Sequence, residues 1–213
     1  RRPRNCQARS RGSRAAVFGE MIRTAVFGGS FNPVHYGHIN LAKEILRQDL
    51  ADEVWLMVSP RNPLKQHADL LDEQTRLRLT RLALADVPGV HAADDEFSLP
   101  RPSYTWKTLD ALRGKYPDRA FFLVIGGDNW QLFPRWARAD YIIANYPIIV
   151  YPRPGYDLDE QSLPPSVRVL RSVPLFPYSS TEVRAALRSG ADVSAMVPPE
   201  IEKAIKLEKL YGL

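Results

Sequence analysis

The amino-acid sequence predicts an α/β protein with a mostly parallel central sheet flanked by helices. Short runs rich in β-branched and aromatic residues alternate with stretches of helical period, the pattern of successive βαβ units. One run, Phe121-Phe122-Leu123-Val124-Ile125, is apolar throughout, as a strand buried on both faces should be. Polar, glycine-bearing segments follow the strand runs, where an open parallel sheet places its ligands.

Taken in order, the first strand is expected at 23–27 (RTAVF), and a helix at 38–48 follows from the apolar face of Ile39, Ala42, Ile45 and Leu46. A second strand is expected at 53–58 (EVWLMV), then helices at 72–86 and 103–116. Strands at 120–125, 146–151 and 167–170 come next, with helices at 180–189 and 198–209 closing the chain. Ser179 and Glu182 have capping-box spacing at the start of the first of these, and Gly190 supplies its stop.

The 213 residues are expected to form one domain over 21–213. Residues 1–20 carry six arginines against one acid, which accounts for the whole net charge of +5. The body is therefore electrically neutral, which argues against a nucleic-acid-binding surface. The tail lacks apolar periodicity and is expected to lie outside the fold, as upstream translated sequence or, alternatively, an Arg- and Ser-rich transit segment. Cys6, the only cysteine, lies in it, so a reducing, cytoplasmic setting is expected. No run reaches membrane-span length; even Tyr141–Tyr151 is broken by Asn145 and Pro147. Neither a nucleic acid nor a membrane is expected as a partner; homo-oligomerisation stays open.

The densest chemistry lies in Phe27–Leu46, "FGGSFNPVHYGHINLAKEIL". Gly28 and Gly29 allow close backbone approach, and Ser30 and Phe31 continue the loop. A helix beginning near Gly37 offers amides and a positive dipole end to a phosphate. His35 and His38 are about one helical turn apart and can face the same way. Alone, the pair could equally be a capping and a surface histidine. No further Cys or His stands near enough in sequence to complete a zinc set, and neither a Walker A loop nor G-x-G-x-x-G is present.

The string "GGSFNPVHYGH" resembles the signature of the nucleotidyltransferase superfamily, whose H-x-G-H stands here as His35-Tyr36-Gly37-His38. Within it the chain is most similar to bacterial nicotinate-mononucleotide adenylyltransferases, from about Arg23 to Leu210. "SPRNPLK", "RPSYTWKTL", "IGGDNWQLFPRW", "RPGY" and "SSTEVRAALRSG" follow in order. The resemblance implies a Rossmann-like nucleotidyltransferase fold and adenylyl transfer from ATP to nicotinate mononucleotide, with Mg2+ accompanying ATP. It implies catalytic roles for His35, His38 and Arg184. It places ATP against Gly28, Gly29, Ser30, Phe31, Gly126, Asp128, Ser179, Ser180 and Thr181, with Asp128 on the ribose. It assigns Trp136 to stacking on the pyridinium ring, and the amides at Thr105 (beside Tyr104) and Ala137 to the nicotinate carboxylate. Asn32, Lys65 and Arg153 complete the expected substrate contacts, although the last two could be ordinary solvated bases. Asn32 stands where the family commonly has Asp, and Leu64 where many relatives have His. His67 and His91 read as surface residues.

A phosphomonoester nucleophile is largely ionised at neutral pH, its second pKa being about 6, so no general base is expected. Sibling transferases acting on pantetheine phosphate, flavin mononucleotide or nicotinamide mononucleotide share the ATP half. A non-catalytic nucleotide sensor is the alternative of another class. A class I synthetase fragment should carry a lysine-rich K-M-S-K-S loop where this chain has "SSTEVR".

Overall fold

A computed structural model describes residues 21–60, 70–171 and 178–212. Six strands form one sheet: β1 (Ile22–Gly29), β2 (Glu53–Val58), β3 (Val90–Ala93), β4 (Arg119–Gly126), β5 (Ile148–Tyr151) and β6 (Val167–Val169). Their spatial order is β3-β2-β1-β4-β5-β6, and every adjacent pair is parallel. The chain builds outward from β1 through β2 to β3, then crosses back to β4 and builds the other way. The reversal lies between β1 and β4, which is where a doubly wound sheet opens a crevice for ligands.

Among the described residues seven α-helices connect and cover the strands: α1 (Tyr36–Arg47), α2 (Glu73–Ala83), α3 (Thr105–Lys115), α4 (Gly127–Leu132), α5 (Ala139–Asn145), α6 (Ser180–Ser189) and α7 (Pro199–Leu207). The expected α/β architecture is observed. Two apolar cores lie in the body. One joins Ala25, Phe27, Leu56, Phe122, Val124 and Ile149 to α1, α2, α6 and α7. The other joins Val26, Met57, Phe121, Leu123, Ile125 and Val150 to α3 and α5. Alternate residues of β4 from Ala120 to Ile125 thus enter opposite cores, which explains the unbroken apolar run. In α1 the buried face is Ile39, Leu41, Ala42 and Ile45.

The structure departs from the expected elements in identifiable places. β3 was not expected, because Val-His-Ala-Ala has little strand character; it exists by pairing with β2. β5 begins at Ile148 rather than 146, since the Tyr146 amide closes α5 by donating to Ile142. The helix expected at 72–86 stops at Ala83, and α4 and α5 are additional. Among the described residues no helix is long and apolar enough to cross a membrane. The 1–20 tail, Lys65 and His67 lie outside the described residues.

Candidate active site

The loop leaving β1 turns through Phe31, a non-glycine residue at φ 46°. Its ring, 2% exposed, packs beside Gly29, where an added Cβ would stand 2.9 Å from it. Glycine at 29 is therefore a packing requirement. Gly28 differs, because among the described residues a Cβ there would meet no atom within 4 Å beyond its chain neighbours.

His35 is the N-cap of α1. Its Nδ1 accepts from the Gly37 amide at 3.1 Å, while the His35 amide donates to Nδ1 of His38 at 3.3 Å. This reciprocal capping box fixes both imidazoles, whose ring centroids are 3.8 Å apart. In a neutral imidazole one nitrogen accepts and the other carries the proton. Because both Nδ1 atoms accept, each neutral ring bears its proton on Nε2. Burial, with a smaller contribution from Arg153, pulls the His35 pKa down to about 4, so His35 is neutral at pH 7 and offers one N–H.

The first-turn amides of α1 were expected to hold phosphate; the structure corrects this. Tyr36 donates to the Met196 carbonyl, Gly37 to Nδ1 of His35, and His38 and Ile39 to the His35 carbonyl. The donors on this element are side chains, not the helix end.

α6 is fastened onto the same loop. Arg184, 7% exposed, donates from Nη1 to the Asn32 carbonyl at 2.7 Å and from Nη2 to Oγ1 of Thr181 at 3.3 Å. Its Nε is buried and has no hydrogen-bond partner among the described residues. The three hydroxyls at the helix start are not equivalent. Ser179 accepts from the Glu182 amide and Thr181 accepts from Arg184, so each retains a hydroxyl proton to donate. Ser180 has committed its proton to the Pro33 carbonyl, 3.0 Å away. Ser180 can therefore meet an anion through its amide, which has no intrahelical partner, but not as a hydroxyl donor.

Across the crevice, α4 begins at the end of β4. A Cβ at Gly126 would lie 2.3 Å from Oδ1 of Asp128 and 3.0 Å from the Tyr151 ring, so glycine admits the carboxylate. That Oδ1 is buried and, among the described residues, has no hydrogen bond; Nε of Arg153 stands 3.7 Å away. Arg153 also donates to the Tyr151 hydroxyl at 3.0 Å.

Further along the sheet edge lie half-exposed aromatics. Tyr104 precedes α3 as its N-cap, with no side-chain cap bond, so the amides of Thr105 and Trp106 have no intrahelical partner. Trp136 ends the 3-10 turn Phe133–Arg135 and packs one side on Phe133, centroids 5.5 Å apart. The guanidinium of Arg138 lies 4.7 Å from the Trp106 ring and 4.2 Å from Tyr141. This stack sets the start of α3 beside the 136–138 turn that contains Ala137.

A cytidylyltransferase-like family model matches residues 26–186. A probable nicotinate-nucleotide adenylyltransferase of Bacteroides fragilis is 46% identical over 183 residues, covering 86% of this chain and 90% of the relative. Its counterpart in Bacteroides thetaiotaomicron is 45% identical, over 87% and 91%. The chain belongs to the nicotinate-nucleotide adenylyltransferase family. Among solved structures, Plasmodium falciparum nicotinic acid mononucleotide adenylyltransferase complexed with NaAD aligns with a TM-score of 0.75 at 18% identity, over 89% of this chain and 97% of that one, a likeness of fold.

Within this family member, Asn32 is buried and held on several sides. It is 4% exposed; its Oδ1 accepts from the Tyr211 hydroxyl at 3.1 Å and the Leu71 amide at 3.3 Å, and its carbonyl accepts from Arg184. Burial pushes the Tyr211 phenol up, which keeps it a donor. Arg76 was missed from sequence. It is fully buried and donates to the carbonyls of Ser30, Ser59, Pro60 and Leu71 at 2.6–2.9 Å. Its place on the apolar face of α2, beside Leu79, Thr80 and Ala83, was the available signal.

Proposed function

We propose that the crevice between β1 and β4 transfers the adenylyl group of ATP to nicotinate mononucleotide, forming nicotinate adenine dinucleotide and pyrophosphate. The observation that carries this reading is the pair of fixed imidazoles, both turned so that Nε2 bears the proton, on a loop to which Arg184 is bound. Curated relatives at 45–46% identity named as nicotinate-nucleotide adenylyltransferases favour this acceptor over its siblings.

The nucleophile is the mononucleotide phosphate, already ionised; its oxygen bonds to the α-phosphorus as the bond from that phosphorus to the α,β-bridging oxygen breaks, and that oxygen leaves with the pyrophosphate. The protein's task is to bring two anions into line and stabilise charge on the departing pyrophosphate. His35 and His38 donate from Nε2 without first losing a proton. Thr181, Ser179 and the Ser180 amide extend that donor set, and Arg184 supplies permanent charge. Gly28 lets the nucleotide approach the backbone, and Asp128 accepts from the ribose hydroxyls. Trp136 offers its free face to the pyridinium, which an indole attracts, while the amides at Thr105 and Ala137 meet the carboxylate.

Mg2+ fits this site as a companion of ATP. Among the described residues no group of three His, Cys, Asp or Glu side chains could hold a metal, and the donors in the crevice are mostly N–H and O–H. The ion would be held chiefly by phosphates and water, where it neutralises phosphate charge. Pyrophosphate release from ATP and Mg2+ with a panel of mononucleotide acceptors tests the proposal. Release with nicotinate mononucleotide well above the amide is expected; preference for pantetheine phosphate or flavin mononucleotide would refute it.

A further inference from the structure

Glu96, in the 3-10 turn Asp95–Ser98 after β3, has no part in the reaction above, yet it is a carboxylate only 8% exposed. Buried carboxylates need hydrogen-bond donors, and the identity of these donors is informative. Oε1 accepts from the Thr108 hydroxyl at 2.9 Å, and Oε2 from the Ser103 hydroxyl at 3.4 Å. Ser103 immediately precedes the Tyr104 cap, and Thr108 lies one turn into α3. The carboxylate therefore grips the start of this helix from both sides of its cap.

The side chain of Ser59, the first residue beyond β2, also favours the charged form of this carboxylate. The Ser59 amide donates to the Gly29 carbonyl at 2.9 Å, and its own carbonyl accepts from Arg76 at 2.8 Å. Arg76 in turn holds the Ser30 carbonyl at 2.6 Å. A continuous polar chain thus runs from the loop after β1, through Ser59 and Glu96, to the start of α3. Among the described residues no cation is hydrogen-bonded to Glu96; its two hydrogen-bond donors, Ser103 and Thr108, are hydroxyls.

The geometry points to Glu96 as a positioning residue that sets the start of α3 relative to the ATP loop and thereby governs binding of the pyridine mononucleotide. This rests on the functional reading above, in which that helix start meets the nicotinate carboxylate. A displacement of about 1 Å at such a contact is enough to cost up to a hundredfold in a reaction that depends on alignment.

Glu96→Gln preserves shape and one acceptor but loses the second; Thr108→Val removes the 2.9 Å donor at constant volume. Nicotinate mononucleotide and a non-hydrolysable ATP analogue are titrated calorimetrically into wild type and both variants, and KM is measured for each substrate. Glu96→Gln is expected to weaken mononucleotide binding about tenfold and to raise its KM equally, with the ATP values within twofold. Thr108→Val should act in the same direction and less strongly. Glu96→Asp, which keeps two acceptors, should recover part of the loss. Unchanged mononucleotide affinity, or equal weakening of both ligands, would overturn the inference. A Glu96→Gln chain that fails to fold leaves Thr108→Val and Glu96→Asp to decide by the same split. If wild type itself binds the ATP analogue but no pyridine mononucleotide, the functional reading fails first, an outcome distinct from variants that leave good binding untouched.

Discussion

The two halves of the crevice are built from different materials. On the β1 side, His35, Asn32, Arg76 and Arg184 are all buried, and each is held by backbone groups or a neighbouring side chain. On the α3 side, Tyr104 is 43% exposed, and Trp106 and Trp136 are half-buried, held by ring contacts and by Arg138. A triphosphate presents much the same charge whatever the acceptor, so its half can be rigid and dense in hydrogen bonds. A flat cationic ring is selected by shape and by a few amides, for which aromatic walls suffice. Rate should therefore be lost on the first side and acceptor affinity on the second.

The contrast is broken most severely by His38→Ala. Removing one preorganised donor to developing charge costs about a hundredfold to a thousandfold in turnover, and kcat should fall by that amount while the chain still folds, with a small drop in melting temperature from the lost capping bond to the His35 amide. Near-normal kcat in a folded variant would remove His38 from the chemistry. Next comes acid stability. His35 has a folded pKa of about 4 against 6.5 unfolded, so the unfolded chain binds more protons between those values. Its contribution is complete above pH 6.5 and is lost as pH falls toward 4, about 3 kcal/mol in all. His35→Asn, which can still cap α1, should flatten that part of the stability–pH curve in chemical denaturation.

Arg184→Lys keeps charge but not the two-pronged hold on Asn32 and Thr181. It should raise the KM for ATP roughly tenfold and that for the mononucleotide less; equal effects would count against its assignment to the ATP half. Trp136→Ala should raise the mononucleotide KM about fivefold, the loss of a cation–π contact of about 1 kcal/mol, with kcat and ATP unaffected. The smallest effect belongs to Ser179→Ala, a lost helix cap of about 1 kcal/mol in stability, measurable as a drop in melting temperature.

What was legible in the sequence is what is local in the chain. β4 announced itself because each residue from Ala120 to Ile125 enters a core, and His35 with His38 because a turn of helix determines their relation. The capping box of Ser179 and Glu182 spans four residues and forms as expected. The features that escaped depend on partners far along the chain. Arg76 meets Ser30 across 46 positions, Tyr211 meets Asn32 across 179, and no spacing rule links them. The assumption that a helix start beside glycines must present free amides failed at α1 for the same reason, since Met196 occupies the Tyr36 amide. α4 was hidden by its opening glycine, and α5 by an apolar run that leads directly into β5.

Arg76 has a consequence for how the enzyme meets its nucleotide. Its guanidinium is hydrogen-bonded to four carbonyl oxygens and, among the described residues, to no carboxylate. Unlike a lysine on a flexible stem, it can neither swing into solvent nor be masked by dissolved ions, because interior charges are screened far less than exposed ones. A body whose formal charges balance thus keeps a standing positive potential behind the loop at Ser30, and its pull on a polyanion should persist in brine that silences the exposed arginines.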